Sequence, residues 1–321
     1  MLTMRRVAVL GVLGVLASCG GLDVDEYAGQ LAAARCGYQV RCGLFATLDD
    51  CLAEAARTAI DNPNPKAAVD AGKIAFSEDA AQACLDAYAA LSCDTTMQTS
   101  ALDVCADVFT GTVPIGETCA FDGECESDSC VVPSCTGVCC QGTCAPARTP
   151  PAIGEPCTFL CADGAYCTIE GTCAALLPAG AACSDPLACA VGLYCAGYSA
   201  MTSGSCRAIP HLGEPCESFC AEAGAICDSG TCVEAGVRGD ACTSSAQCSV
   251  YYECIDGACA TFPALGMPCT SRCADGAWCN SGTCEAQKPL SADCLRNDEC
   301  QTHFCLRNGA VGACSDVPLC I

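Results

Sequence analysis

Positive charge is scarce in this chain of 321 residues: 14 Lys and Arg stand against 37 Asp and Glu, a formal net charge of −23. Binding a phosphate backbone takes clustered Lys and Arg, and no basic patch exists, which excludes nucleic acid as a partner. Histidine is nearly absent, with only His211 and His303. Neither stands beside a Gly-x-Ser-x-Gly or another nucleophile motif, which argues against an enzyme built on a catalytic triad. Aromatic residues make up 5% of the chain, and the positive mean hydropathy comes mostly from Ala and Cys, so no large core can form. No two cysteines lie three positions apart, which removes Cys-x-x-Cys zinc and thioredoxin-type sites. No cofactor is implied.

What the chain has instead is cysteine, 39 in all. That density marks a disulfide scaffold and an oxidising compartment. The acidity keeps such a protein soluble outside the cytoplasm.

Residues 1–18 read as an export signal. Arg5 and Arg6 form a positive start, and the apolar run Val7–Leu16 is too short to span a bilayer. Leu16-Ala17-Ser18-Cys19 follows directly and resembles the lipobox of bacterial lipoproteins, in which the cysteine is acylated and becomes the new N-terminus. The resemblance implies a membrane anchor at Cys19, with two or three acyl chains sufficient for stable attachment. Parity agrees: removing Cys19 from 39 leaves an even number that can pair completely. Gly20 is not an aspartate, which by analogy with enterobacterial sorting points to the outer membrane, on its surface or its periplasmic face.

Residues 19–112 are Ala-rich and carry, beyond Cys19, the cysteines Cys36, Cys42, Cys51, Cys84, Cys93 and Cys105. Helical periodicity runs from Asp25 to Cys36, with Tyr27, Leu31 and Ala34 on one face. A second helix is capped by Thr47 and runs to Ile60, and a third runs from Pro65 to Ile74. A fourth, capped by Ser77, covers 78–92 with Ala81, Cys84, Leu85, Tyr88 and Leu91 inward. A fifth spans about 99–109 with Leu102, Cys105, Val108 and Phe109 inward, and Gly111 stops it. The expectation is a small α-helical domain stapled by disulfides.

Residues 113–321 repeat one cysteine-rich unit seven times, starting near 116, 154, 180, 213, 239, 266 and 291. Six units have a glycine three residues before the first cysteine and the seventh has Ser291; every unit closes on Gly-[Thr/Ser/Ala]-Cys. Two kinds alternate. Modules one, three, five and seven leave five residues between their first two cysteines, as in Cys119 to Cys125 and Cys183 to Cys189. Modules two, four and six leave three, as in Cys157 to Cys161. The framework continues through Cys167, Cys173, Cys195, Cys206, Cys216, Cys220, Cys227, Cys232, Cys242, Cys248, Cys254, Cys259, Cys269, Cys273, Cys279, Cys284, Cys294, Cys300, Cys305 and Cys314. Units this small are held by disulfides, each a short β-hairpin with loops, and the closing glycine supplies the positive φ of a tight turn. A fixed period predicts an elongated array in which each unit touches mainly its neighbours. Modules one and seven carry extra cysteines (Cys135, Cys139 and Cys140 among seven, and Cys320). These bridge different units, remain free or pair between molecules. Four cysteines allow three connectivities.

The units GEPCTFLCADGAYCTIEGTC, GDACTSSAQCSVYYECIDGAC and GMPCTSRCADGAWCNSGTC resemble the Dickkopf N-terminal cysteine-rich module. They resemble more closely the tandem-module, cysteine-rich lipoproteins of myxobacterial type. Likeness to small cysteine-rich modules implies first-to-third and second-to-fourth pairing. A lipobox implies a bacterium, so vertebrate signalling activity is not carried over.

Two ligand leads remain. Asp122, Glu124, Glu126 and Asp128 alternate in one loop, an oxygen-rich candidate for Ca²⁺, although the spacing is not that of an EF-hand. Tyr166, Tyr194, Tyr252 and Trp278 lie near successive third cysteines, with Phe159 and Phe219 at matching loop positions. They either pack over the disulfides or form a row that contacts an extracellular protein or glycan. The sequence thus reads as a non-enzymatic binding or adhesion protein, with a purely structural envelope component as the alternative. An extracellular enzyme or protease inhibitor is a third reading, with the loop 131–143 as its place.

Overall fold

The computed structural model describes residues 22–58, 65–97, 100–133, 141–199, 202–269, 272–274, 276–307 and 311–315. Cys19, Cys135, Cys139, Cys140 and Cys320 lie outside them.

The helical domain opens with α1 (Val24–Arg41), capped by Asp23, whose side chain accepts the Glu26 amide at 2.8 Å. This helix runs past the expected end at Cys36, because the left-handed residue that closes it is Gly43, not Gly37. Then come α2 (Leu48–Thr58), α3 (Pro65–Asp70) and α4 (Glu78–Ala90). Thr47 and Ser77 cap α2 and α4 as expected, accepting from Asp50 and Ala80. Tyr27, Ala81, Cys84, Leu85 and Val108 form the buried centre. Bridges 36–51, 42–93 and 84–105 tie α1 to α2, α1 to the segment after α4, and α4 to the last turn.

Two expected helices differ. α3 stops at Asp70 because Gly72 takes a positive φ and the Lys73 amide folds back onto the Ala68 carbonyl. Ile74–Phe76 then forms β1, paired antiparallel with β2 (Phe109–Gly111). The fifth helix is a short 3-10 segment, Asp103–Val108, which runs straight into β2. The β-branched and aromatic residues of these short runs suit a strand pair lying over the helices.

Each module pairs first with third and second with fourth cysteine: 157–167 and 161–173, 216–227 and 220–232, and so on through 294–305 and 300–314. In module one, Cys130 and Cys144 fill the third and fourth places. At every module start the amide of the residue three before the first cysteine donates to the carbonyl of the last, as Gly116 does to Cys144 and Ser291 to Cys314. That residue has positive φ in all seven modules, 67° at Ser291, which is why six of them are glycine.

Modules one, three and seven are three-stranded rather than simple hairpins, with the last strand in the centre. In modules two, four and six the residue before the first cysteine is Pro156, Pro215 or Pro268. There the outer strand is a single bridge, as it also is at Ala241 of module five, and proline offers no amide with which to extend the ladder. The closing glycine also divides by type. It has positive φ at Gly171, Gly230, Gly257 and Gly282. At Gly142 and Gly204 it does not; there a Cβ would come within 2.6 and 2.3 Å of neighbouring atoms, so close packing in the three-stranded sheet demands glycine.

Joints alternate with the same two-module period. Before the five-gap modules, one joint residue (Val113, Leu177, Gly236 or Lys288) makes a parallel bridge to the second cysteine. Before the three-gap modules, the carbonyl of Pro151, Pro210 or Pro263 accepts the amide that follows the second cysteine, at 2.8–2.9 Å.

The array does not simply extend away from the helices. Asp94 bridges Glu222 antiparallel, with Thr95 donating to the Ala221 carbonyl and Ala223 to the Cys93 carbonyl, both at 2.8 Å. Phe45 stacks on Tyr251 of module five at 4.1 Å and meets Tyr252 edge-on at 6.1 Å. The helical domain therefore packs against modules four and five as well as module one. Beyond the neighbour contacts expected of the array, the aromatics of module five thus have a partner in the helical domain.

Candidate functional site

The oxygen-rich loop of module one is organised for structure. Glu124 is fully buried, both its carboxylate oxygens lie 3.3 Å from the Lys73 ammonium, and one accepts the Ala120 amide at 2.7 Å. Asp122 accepts the Cys130 amide at 2.6 Å. Glu124 therefore faces a cation of the helical domain, apart from Glu126 and Asp128. The same position recurs in module seven as buried Glu299, paired with Lys288 at 2.7 Å and accepting the Leu295 amide, and in module five as Gln247, accepting the Thr243 amide. The sequence signal was available: an acid or amide directly before the second cysteine of three five-gap modules.

Burial pushes the Glu299 carboxyl up, but the Lys288 ammonium, the Leu295 amide and Arg296 outweigh it and hold it below the ordinary value. Clusters such as Cys119, Cys125 and Cys130 bring three sulfurs within 4.8 Å of one another. Those sulfurs belong to two crossing disulfides and are not thiolate ligands.

The aromatics separate into inward and outward groups. Tyr252 is buried against the helical domain, its hydroxyl accepting the Ala46 amide at 2.9 Å. Trp278 is buried with the Lys288 ammonium 5.4 Å from its ring. Tyr166 packs on the cluster of module three. These three hold modules to each other or to the helices. Phe159 and Phe219 instead point outward, 88% and 60% exposed, and Ile169 at the tip of module two is 92% exposed. Disulfides occupy module interiors, so large side chains in the short loops have nowhere inward to go.

Two clefts open on module four, and Phe219 lines the larger. Its ring meets Tyr194 of module three edge-on at 6.2 Å. Beside that pair lies a cleft of about 380 Å³ between modules three and four, with Tyr194, Arg207, Pro210, Glu214 and Glu217 on its walls. The larger cleft, about 450 Å³, is bounded by module four including Phe219, by Ala246 of module five and by Thr95 of the helical domain. His211 sits between them at 3.1 Å from Glu222, and that hydrogen bond raises its pKa above the ordinary value. His303 lies apart in module seven, in a turn of positive φ.

Fold and surface together define a class: a cysteine-rich protein of disulfide-bonded small β-sheet modules joined to a helical disulfide domain. So many bridges place it in an oxidising, extracytoplasmic setting, and among the described residues no helix is long and apolar enough to cross a membrane. Comparison with protein-family models, with curated proteins and with solved structures finds no match for this chain.

Proposed function

We propose that the chain is a lipoprotein of the outer membrane, anchored at Cys19, that acts as a non-enzymatic binding or adhesion protein at the cell surface. The observation that carries the reading is the outward placement of Phe159, Ile169 and Phe219 on modules whose interiors are filled by disulfides. A secreted scaffold that needed only durability would gain nothing from apolar side chains held in water, whereas rigid exposed aromatics are what binding surfaces use. The lipobox-like Leu16–Cys19 supports the anchor, and the unit spacing supports kinship with tandem-module bacterial lipoproteins.

The test has two arms. Palmitate labelling of the full chain and membrane fractionation, wild type against Cys19→Ser, should show label and membrane attachment lost in the variant. A pull-down from envelope extract with the oxidised full chain should retain a saturable partner that a reduced, alkylated sample does not. Equal labelling of both chains removes the anchor, and absence of any saturable partner removes the binding role.

A further inference from the structure

We propose that the contact between the helical domain and module four is a pH-sensitive latch, closed by a proton on His211. Asp94 and Glu222 lie directly opposite one another in the antiparallel bridge that spans this contact, and like charges set opposite each other on paired strands repel. Both carboxylates are held in place. Asp94 accepts the Thr96 amide at 2.9 Å and the Thr96 hydroxyl at 2.6 Å. Glu222 accepts the Leu212 amide at 3.1 Å with one oxygen, and its other oxygen lies 3.1 Å from His211 Nδ1.

The charged groups that act on His211 are all acidic: Glu222 and Glu214 of its own module and Asp94 of the helical domain. Its backbone amide also donates to Glu214 at 2.9 Å, which fixes the joint beside them. The hydrogen bond to Glu222 raises the pKa of the imidazole most; burial opposes the rise, and the charges of Glu222, Asp94 and Glu214 add to it. Glu222 and Glu214 act within module four whether or not the domains touch. Asp94 reaches the ring only when they do. Docking therefore raises the affinity of His211 for a proton, and by linkage the proton favours docking by the same factor.

The folded pKa stands above the ordinary imidazole value, so the stabilisation is fully present below about pH 6.5 and is lost as pH rises through the higher folded value. In acid, an imidazolium offsets the repulsion between Asp94 and Glu222. In mild alkali, three carboxylates face a neutral ring. The bonds that loosen are those crossing the contact, from Thr95 to the Ala221 carbonyl and from Ala223 to the Cys93 carbonyl. Thr95 and Glu222 both line the larger cleft, so the latch also sets how firmly the helical domain walls that cleft. It requires neither the anchor nor a bound partner.

The experiment is hydrogen exchange on the oxidised full chain, with each amide's rate referred to its intrinsic rate at the same pH. Protection of the Thr95 and Ala223 amides should fall about threefold or more between about pH 6 and pH 8.5, while amides inside α4 keep theirs. His211 is half exposed, so His211→Gln should fold normally, and it should remove the pH dependence of both amides. Asp94→Asn should remove it too, and should lower the titration midpoint of the His211 ring read by NMR, with the Glu222 hydrogen bond intact. Equal protection of the two amides at both pH values, or a fall that persists in His211→Gln, would overturn the latch. A fall that persists in Asp94→Asn would confine the effect to module four and overturn it as a contact between domains.

Discussion

At residue scale, the chain repeatedly places a residue in an uncommon conformation and then chooses the side chain that tolerates it. Ser291 is the exception that gives a prediction. It occupies the left-handed position that glycine fills in the other six modules, at φ 67°, where a Cβ costs roughly 1 kcal/mol. Ser291→Gly should therefore stabilise module seven by up to about 1 kcal/mol, less the entropy glycine loses on folding, and Gly116→Ala should destabilise module one by a similar amount. Both are read by denaturant midpoints with disulfides intact. Glu299 gives a pH signature. Its carboxyl is held below the ordinary value, so its contribution is present above about pH 4.3 and is lost as pH falls through its lower folded pKa. The difference in melting midpoint between wild type and Glu299→Gln should be full at pH 7 and shrink at pH 3; a difference that persists at pH 3 contradicts the assigned pair. The start glycines were legible in the sequence. The recurring acid or amide before the second cysteine was legible too, but not the partner of Glu124, because Lys73 lies in another domain.

At the scale of elements, joints matter as much as modules. Four parallel bridges and three proline carbonyls repeat with a period of two modules, as the alternating gaps Cys183 to Cys189 and Cys216 to Cys220 suggested. What could not be read was where the array meets the helices. The aromatics of "SVYYEC" have the same look as any exposed aromatic, and only the fold shows that Tyr251 and Tyr252 clasp Phe45. Likewise the strand pair β1–β2 hid inside runs of three residues, too short for a period to register. Two substitutions test the contacts. Lys73→Ala leaves buried Glu124 without its cation and should cost roughly 3 kcal/mol, read as an earlier denaturation of module one. Gly224→Ala puts a Cβ within 1.8 Å of the Cys42 carbonyl oxygen; backbone cannot yield that far, so module four should part from the helical domain. Faster proteolysis between the domains reports it, and unchanged proteolysis would mean that the two surfaces do not touch.

At the scale of the whole molecule, disulfide modules, alternating joints and the helical domain combine so that the array turns Tyr251 and Tyr252 to the helices and Phe159 and Phe219 to solvent. Binding by a surface such as that around Phe219 depends on this arrangement, since its larger cleft has Thr95 of the helical domain on its wall. Hydrogen exchange at three amides tests the arrangement most directly. Ala46 donates to Tyr252, Thr95 to Ala221 and Ala223 to Cys93, and each of these bonds crosses between the helical domain and the array. All three should exchange slowly in the intact chain, and should speed up together in Gly224→Ala while the amides inside α4 stay protected. Fast exchange at all three in the intact chain would mean that the array stands free of the helices.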